Sequence, residues 1–187
     1  MTSFMHIRRE QILREAEGYL DLAMACAEQL PLSASVRNRL AQRALSSLAL
    51  VDCSRSNKSH CSYLQGQALR LMERFPEAIE YFESAAELDK KNLHIWLALG
   101  WCHKRVGKLD MAIQSLEEAL AFEPGEAIVY YNLACYWSLA NNIKLALEYL
   151  SRAFSIDPDY RDLIGDEHDF DPIRSDPRFQ ELTSVIV

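Results

Sequence analysis

Four thiol and imidazole side chains, His94, Cys102, His103 and Cys135, are of types that bind soft metals or serve nucleophilic catalysis. None of them forms the i, i+3 or i, i+4 ligand pair of a helix-borne zinc site, so their spacing predicts core and surface roles instead. A second set, Asp166, Glu167, Asp169 and Asp171, offers carboxylates to a divalent cation. It lacks the glycine of a calcium loop, and helix capping and solubility account for it. No GxSxG, P-loop, HExxH or Cys-His-Asn pattern occurs. The expectation is a non-enzymatic protein with no metal and no cofactor.

The bulk properties bound what else the chain can be. With 187 residues, 49% hydrophobic and 25% charged, it can bury a core as one domain or one continuous repeat array. No apolar run approaches the roughly 20 residues of a membrane span, and Met1 to Glu10 lacks the apolar core of a secretory signal. The odd set Cys26, Cys53, Cys61, Cys102 and Cys135 contains no CxxC pair and reads as reduced, mostly buried thiols of a cytoplasmic protein. Most of the net charge of -7 lies from Asp157 onward, where nine acids face Arg161, Arg174 and Arg178. Without a basic face of the size phosphate contacts require, nucleic-acid binding is not expected.

The elements that would position these residues recur along the chain. Trp96, Leu99, Gly100, Ala112, Leu116, Ala119 and Pro124 reappear 34 residues later as Tyr130, Leu133, Ala134, Ala146, Leu150, Ala153 and Pro158. Thirty-four residues earlier stand Gly66, Ala78, Phe82 and Ala85, with Ser62, Gln65 and Lys90 in place of the aromatic, the leucine and the proline. Small residues at Gly100 and Ala112 let two antiparallel helices approach closely. Gly107, Asn141 and Glu73 fall where the first helix of each pair must stop in a left-handed residue, and Pro76 can only open the next helix at its first turn.

This pattern resembles the tetratricopeptide repeat, over residues 59–160 as three copies at 59–92, 93–126 and 127–160. The resemblance implies an all-α, right-handed α-solenoid of stacked antiparallel helix pairs. Residues 1–58 are expected to form an N-terminal helix pair, and residues 161–187 an acidic capping segment. One helix should span residues 4 to 29, with Ile7, Ile12, Leu13, Leu20, Ala23 and Ala27 on its apolar stripe, ended by Pro31. A second, capped by Ser33 or Ser35, should bury Leu40, Ala44, Leu48 and Val51. Asp171-Pro172 and Asp176-Pro177 should each start a short helix, anchored by Phe170, Ile173, Phe179 and Leu182. Many bacterial repeat proteins of this family end on a similar Asp-Phe-Asp-Pro run.

In the family the first helix of each pair lines a concave groove that receives a peptide. Carried over by register, the resemblance implies a groove formed by His60, Tyr63, Gln67 and Arg70, by His94, Leu97, Trp101, Lys104 and Arg105, and by Tyr131, Asn132, Cys135 and Ser138. Aromatic surface with basic rims suits a segment carrying an acid and an apolar anchor. The chaperone-type carboxylate clamp is absent, its places being taken by Tyr63, Gln67, Ala98, Ile128 and Asn132. The resulting expectation is a protein-binding adaptor or scaffold. The alternative is a self-assembling scaffold, a homo-oligomer in which the N-terminal helix pair, through Leu20, Ala23, Leu45 and Leu48, or the groove engages another copy; an enzyme or metal-binding protein ranks a distant third.

Overall fold

The computed structural model of the chain describes residues 2–29, 32–51 and 57–184. Regular structure among them is wholly helical: α1 Thr2–Gln29, α2 Ala34–Leu48, α3 Lys58–Leu71, α4 Phe75–Leu88, α5 Leu93–Arg105, α6 Leu109–Phe122, α7 Ala127–Leu139, α8 Ile143–Ile156 and α9 Pro177–Thr183. Two 3-10 turns, Pro158–Leu163 and His168–Phe170, lie between α8 and α9. Pro31 and Cys53, and the side chains of Cys26 and Ala27, fall outside the described residues. The chain divides into two compact units, Met1–Cys102 and His103–Val187. No helix among the described residues is long and apolar enough to cross a membrane.

In the first unit α1 and α2 pack as a pair against α3. Leu13, Ala16 and Leu20 of α1 meet Ala41, Ala44 and Leu48 of α2, with Cys61, Leu64 and Ala68 of α3 completing the cluster. Spacings of three and four keep each trio on one helix face, and the alanines allow close approach. Two expected stripe positions differ: Ile7 is exposed, and Ala41 takes the buried place while Leu40 is only partly covered. Leu20, Ala23 and Leu48 are buried inside this unit, and Leu45 packs against its core.

The turns that end the first helix of each pair share one geometry. Glu73, Gly107 and Asn141 have φ of 60°, 77° and 55°. The amides that follow them, on Arg74, Lys108 and Asn142, donate to the carbonyls of Leu69, His103 and Trp137 at 3.0, 2.9 and 2.9 Å. This is a left-handed closure in which the residue beyond it caps an orphan carbonyl, and it recurs with the 34-residue period seen in the sequence.

Side chains at the small and aromatic positions explain the rest of the pattern. A Cβ added at Gly66 of α3 would stand 2.7 Å from the Phe82 ring of α4, so only glycine admits that ring. Trp96 Nε1 donates to the Lys90 carbonyl at 2.7 Å, and Tyr130 Oη donates to the Pro124 carbonyl at 3.0 Å. Each aromatic thus ties its helix to the chain six residues before it. Leu133, Ala134, Ala146 and Leu150 are fully buried in the α7–α8 pair.

The C-terminal segment follows its signals in part. The Asp176 carboxylate accepts from the Arg178 amide and α9 begins at Pro177, as that dipeptide predicts. Asp171-Pro172 instead sits in a turn and starts no helix. Its would-be capping carboxylate is engaged by side chains, accepting from Arg174 Nε at 3.0 Å and pairing with His168 Nδ1 at 3.2 Å. Arg174 also donates to the carbonyls of Ile164 and Glu167, which holds the chain in the turn. Phe170, Ile173 and Phe179 are buried, as expected for anchors, and Leu182 is partly so.

Candidate functional site

The predicted groove residues fall into two different environments, one in each unit. In the first, α3 contributes a chain of neutral hydrogen bonds under a cation. Gln67 Nε2 donates to Tyr63 Oη at 2.7 Å, and Arg70 Nε donates to Gln67 Oε1 at 2.7 Å. Arg70 Nη2 reaches Met24 Sδ of α1 at 3.6 Å. The guanidinium lies over the Trp101 ring of α5, 5.2 Å from its centroid, and Trp101 meets Phe75 edge-on at 5.3 Å. Burial pulls the Arg70 pKa down, yet a guanidinium starts high enough to keep its charge. Among the described residues, a half-buried cation is thus held in place by partners that carry no charge.

Around this patch, His60 is exposed and its Nε2 pairs with Glu17 Oε1 of α1 at 2.7 Å. His94 is exposed at the start of α5, where its amide donates to Asn92 Oδ1. Leu97 and Trp101 are partly buried, and Gln67 is only 6% exposed. Buried Cys102, beside Arg70, has its thiol pushed up to about 11, chiefly by burial.

In the second unit the matching face is covered by the chain itself. Lys104 Nζ pairs with Asp169 Oδ2 at 2.5 Å and lies over the Tyr136 ring. Phe170 meets the Tyr131 ring edge-on with centroids 5.7 Å apart, and Tyr160 packs on the same ring at 5.0 Å. Tyr131, Cys135 and Ser138 are therefore buried at 4%, 1% and 0% exposure and offer almost no surface to a ligand. Asn132 is partly buried and Arg105 exposed. Nothing local in the sequence of α7 shows this covering; its signal is the Asp169-Phe170 pair, whose partners lie far away along the chain.

Cys135 Sγ and carboxylate oxygens of Glu167 and Asp169 lie within 4.8 Å of one another, a possible ligand set for a metal ion. Lys104 already supplies a positive charge to Asp169, and burial, followed by the two carboxylates, pushes the Cys135 thiol upward and away from the ligating thiolate. His103, a candidate ligand in the sequence, is buried with its pKa lowered, first by burial and then by Lys108. It is a buried imidazole whose surroundings disfavour the charged form.

Comparison with known proteins agrees with the helical repeat fold. Residues 69–134 and 127–160 match the tetratricopeptide repeat family, so the chain carries tetratricopeptide repeats. It is 29% identical over 94 residues to the general transcriptional corepressor ssn6 of Schizosaccharomyces pombe, covering 49% of this chain and 8% of that protein. It is 29% identical over 66 residues to protein bimA of Emericella nidulans, covering 35% of this chain and 8% of that one. The chain thus spans only a small part of the length of both relatives. Among solved structures, MamA superposes with a TM-score of 0.59 at 17% identity, over 79% of this chain and 91% of that one. YrrB, described as a TPR protein with an unusual peptide-binding site, superposes with a TM-score of 0.58 at 23% identity, over 71% and 65%. These likenesses show the fold, a tetratricopeptide α-solenoid.

Proposed function

We propose that this chain is a non-enzymatic adaptor or scaffold that holds a segment of another protein against the first helices of its repeats, chiefly α3 and α5. The observation that carries the reading is the Arg70–Trp101 stack, a half-buried cation and an aromatic ring fixed by hydrogen bonds and ring contacts before any ligand arrives. Aromatic and arginine side chains on a pre-formed surface are the usual centres of binding energy in protein interfaces. The binding roles of His60, Tyr63, Gln67, Arg70, His94, Leu97 and Trp101 are part of this proposal. The peptide-binding description of YrrB and the corepressor role of ssn6 support the same class of function. The free, buried thiols of Cys102 and Cys135 support a reducing, cytoplasmic setting. The acidic segment after Asp157, with its Asp-Phe-Asp-Pro run, acts as the cap of the repeat array, in the manner of bacterial repeat proteins.

Selection of a displayed random-peptide library on the full chain tests this reading. Enriched peptides should share an acidic and an apolar residue and lose affinity for a Leu97→Asp variant that keeps its helicity. No enrichment, or enriched peptides that bind the variant equally well, would contradict it.

A further inference from the structure

The second unit shows what this kind of surface accepts, because it is already occupied. Lys104 takes the carboxylate of Asp169 and the Tyr131 ring takes Phe170, so an acid followed directly by an aromatic satisfies a cation and an apolar seat together. Phe170 is 0% exposed, and the side chains of Lys104 and Asp169 are 23% and 17% exposed. The pairing is a sheltered, charge-assisted contact rather than a loose surface one.

The equivalent positions one 34-residue period earlier carry a cation and apolar side chains. Arg70 stands at the position of Lys104, Leu97 at that of Tyr131 and Trp101 at that of Cys135. Even the neighbourhood repeats, since Arg70 lies close to Cys102 as Lys104 lies over Tyr136, again one period apart. The difference is the charge balance. Lys104 has a carboxylate, whereas among the described residues Arg70 hydrogen-bonds to Gln67 Oε1 and Met24 Sδ. A guanidinium withdrawn from water gains most from a carboxylate that can meet its fork.

We propose that Arg70, Leu97 and Trp101 form a docking seat for a partner protein's acidic-aromatic dipeptide, an Asp or Glu followed by Phe, Tyr or Trp, copying the Asp169–Phe170 contact made within the chain. Arg70 receives the carboxylate, and Leu97 and Trp101 receive the ring. This rests on the reading that α3 and α5 hold a protein segment, and it names the chemistry of that segment. The repeat on α7 is closed to such a ligand because its own segment is tethered, at an effective concentration no free peptide matches.

The test uses the full chain and a fluorescein-labelled peptide with the sequence of residues 165–173, followed by fluorescence anisotropy. Saturable binding is expected, weakened about tenfold or more by Arg70→Gln and unchanged by Lys104→Gln, as loss of one charge-assisted contact implies. Replacing the peptide's Asp-Phe pair by Asn-Phe or Asp-Ala should weaken binding to the unaltered chain as much, an arm that holds even if Arg70→Gln disturbs folding. No saturable binding, or binding indifferent to Arg70→Gln and to the Asn-Phe peptide, would overturn the assignment. A dimer of the full chain that Phe170→Ala abolishes would also overturn it, by making a second copy the occupant. Library-selected peptides that bind α3 and α5 without an acidic-aromatic pair would sink this seat alone and leave the broader reading standing.

Discussion

Gly66 and Phe82 are in contact so close that a methyl group at 66 would lie 2.7 to 2.9 Å from three atoms of the ring. Phe82 is 0% exposed, so the ring has nowhere to go. Gly66→Ala should therefore destabilise the chain by about 1–3 kcal/mol through overpacking, despite alanine's better helix propensity. Urea denaturation measures it. The pair Gly66→Ala with Phe82→Leu should recover part of the loss, because the two changes share one space.

The left-handed residues between paired helices give an expectation of opposite sign at two positions. Glu73 occupies φ 60° with a side chain that pays for that conformation, and its exposed contact with Arg37 at 3.0 Å contributes little. Glu73→Gly should stabilise by about 0.5–1 kcal/mol, whereas Gly107→Ala should destabilise by about 1 kcal/mol or more. Denaturation midpoints of the two variants check both signs.

How much of this was legible in the sequence depends on how local each signal is. The stop at Gly107 is readable from one residue, because only glycine adopts that conformation freely. Glu73 is readable only through the 34-residue period, since nothing in glutamate itself predicts φ 60°. Asp176-Pro177 starts a helix while Asp171-Pro172 does not, and the difference lies in Arg174 and His168 claiming the Asp171 carboxylate. The covering of Tyr131 is the part the sequence concealed. Lys104 and Asp169 are 65 residues apart, and a pairing at that distance has no local signature. Register placed Tyr131, Cys135 and Ser138 on the correct helix but could not show that their face was already taken.

The thiols supply a chemical check on the core. Cys61, Cys102 and Cys135 are 1%, 0% and 1% exposed, and burial raises Cys102 to about 11. Their reaction with an aromatic disulfide reagent should be slow in the native chain and complete on unfolding, since the thiolate is the reacting species. Rapid native reaction of Cys135 would mean that the C-terminal segment does not stay seated on α7.

Acid should loosen the C-terminal segment before the repeats. Asp176 is held down to about 2 by the Arg178 side chain, below the roughly 3.9 of an unfolded aspartate. Because the folded value is the lower one, its contribution is fully present above the unfolded value and is lost as pH falls through about 2. Asp176→Asn should flatten the acid limb of the stability profile, measured by circular dichroism between roughly pH 5 and 2.

The central claim is that the first helices of the repeats, rather than the second, hold a protein segment. The most direct measurement places a photo-crosslinking benzophenone side chain at His94 of α5 in one sample and at Glu117 of α6 in another, both exposed, and irradiates each with a library-selected peptide. Covalent product is expected from position 94 and little from 117, with the product competed away by unlabelled peptide. Equal or greater yield from 117, with none from 94, would contradict it.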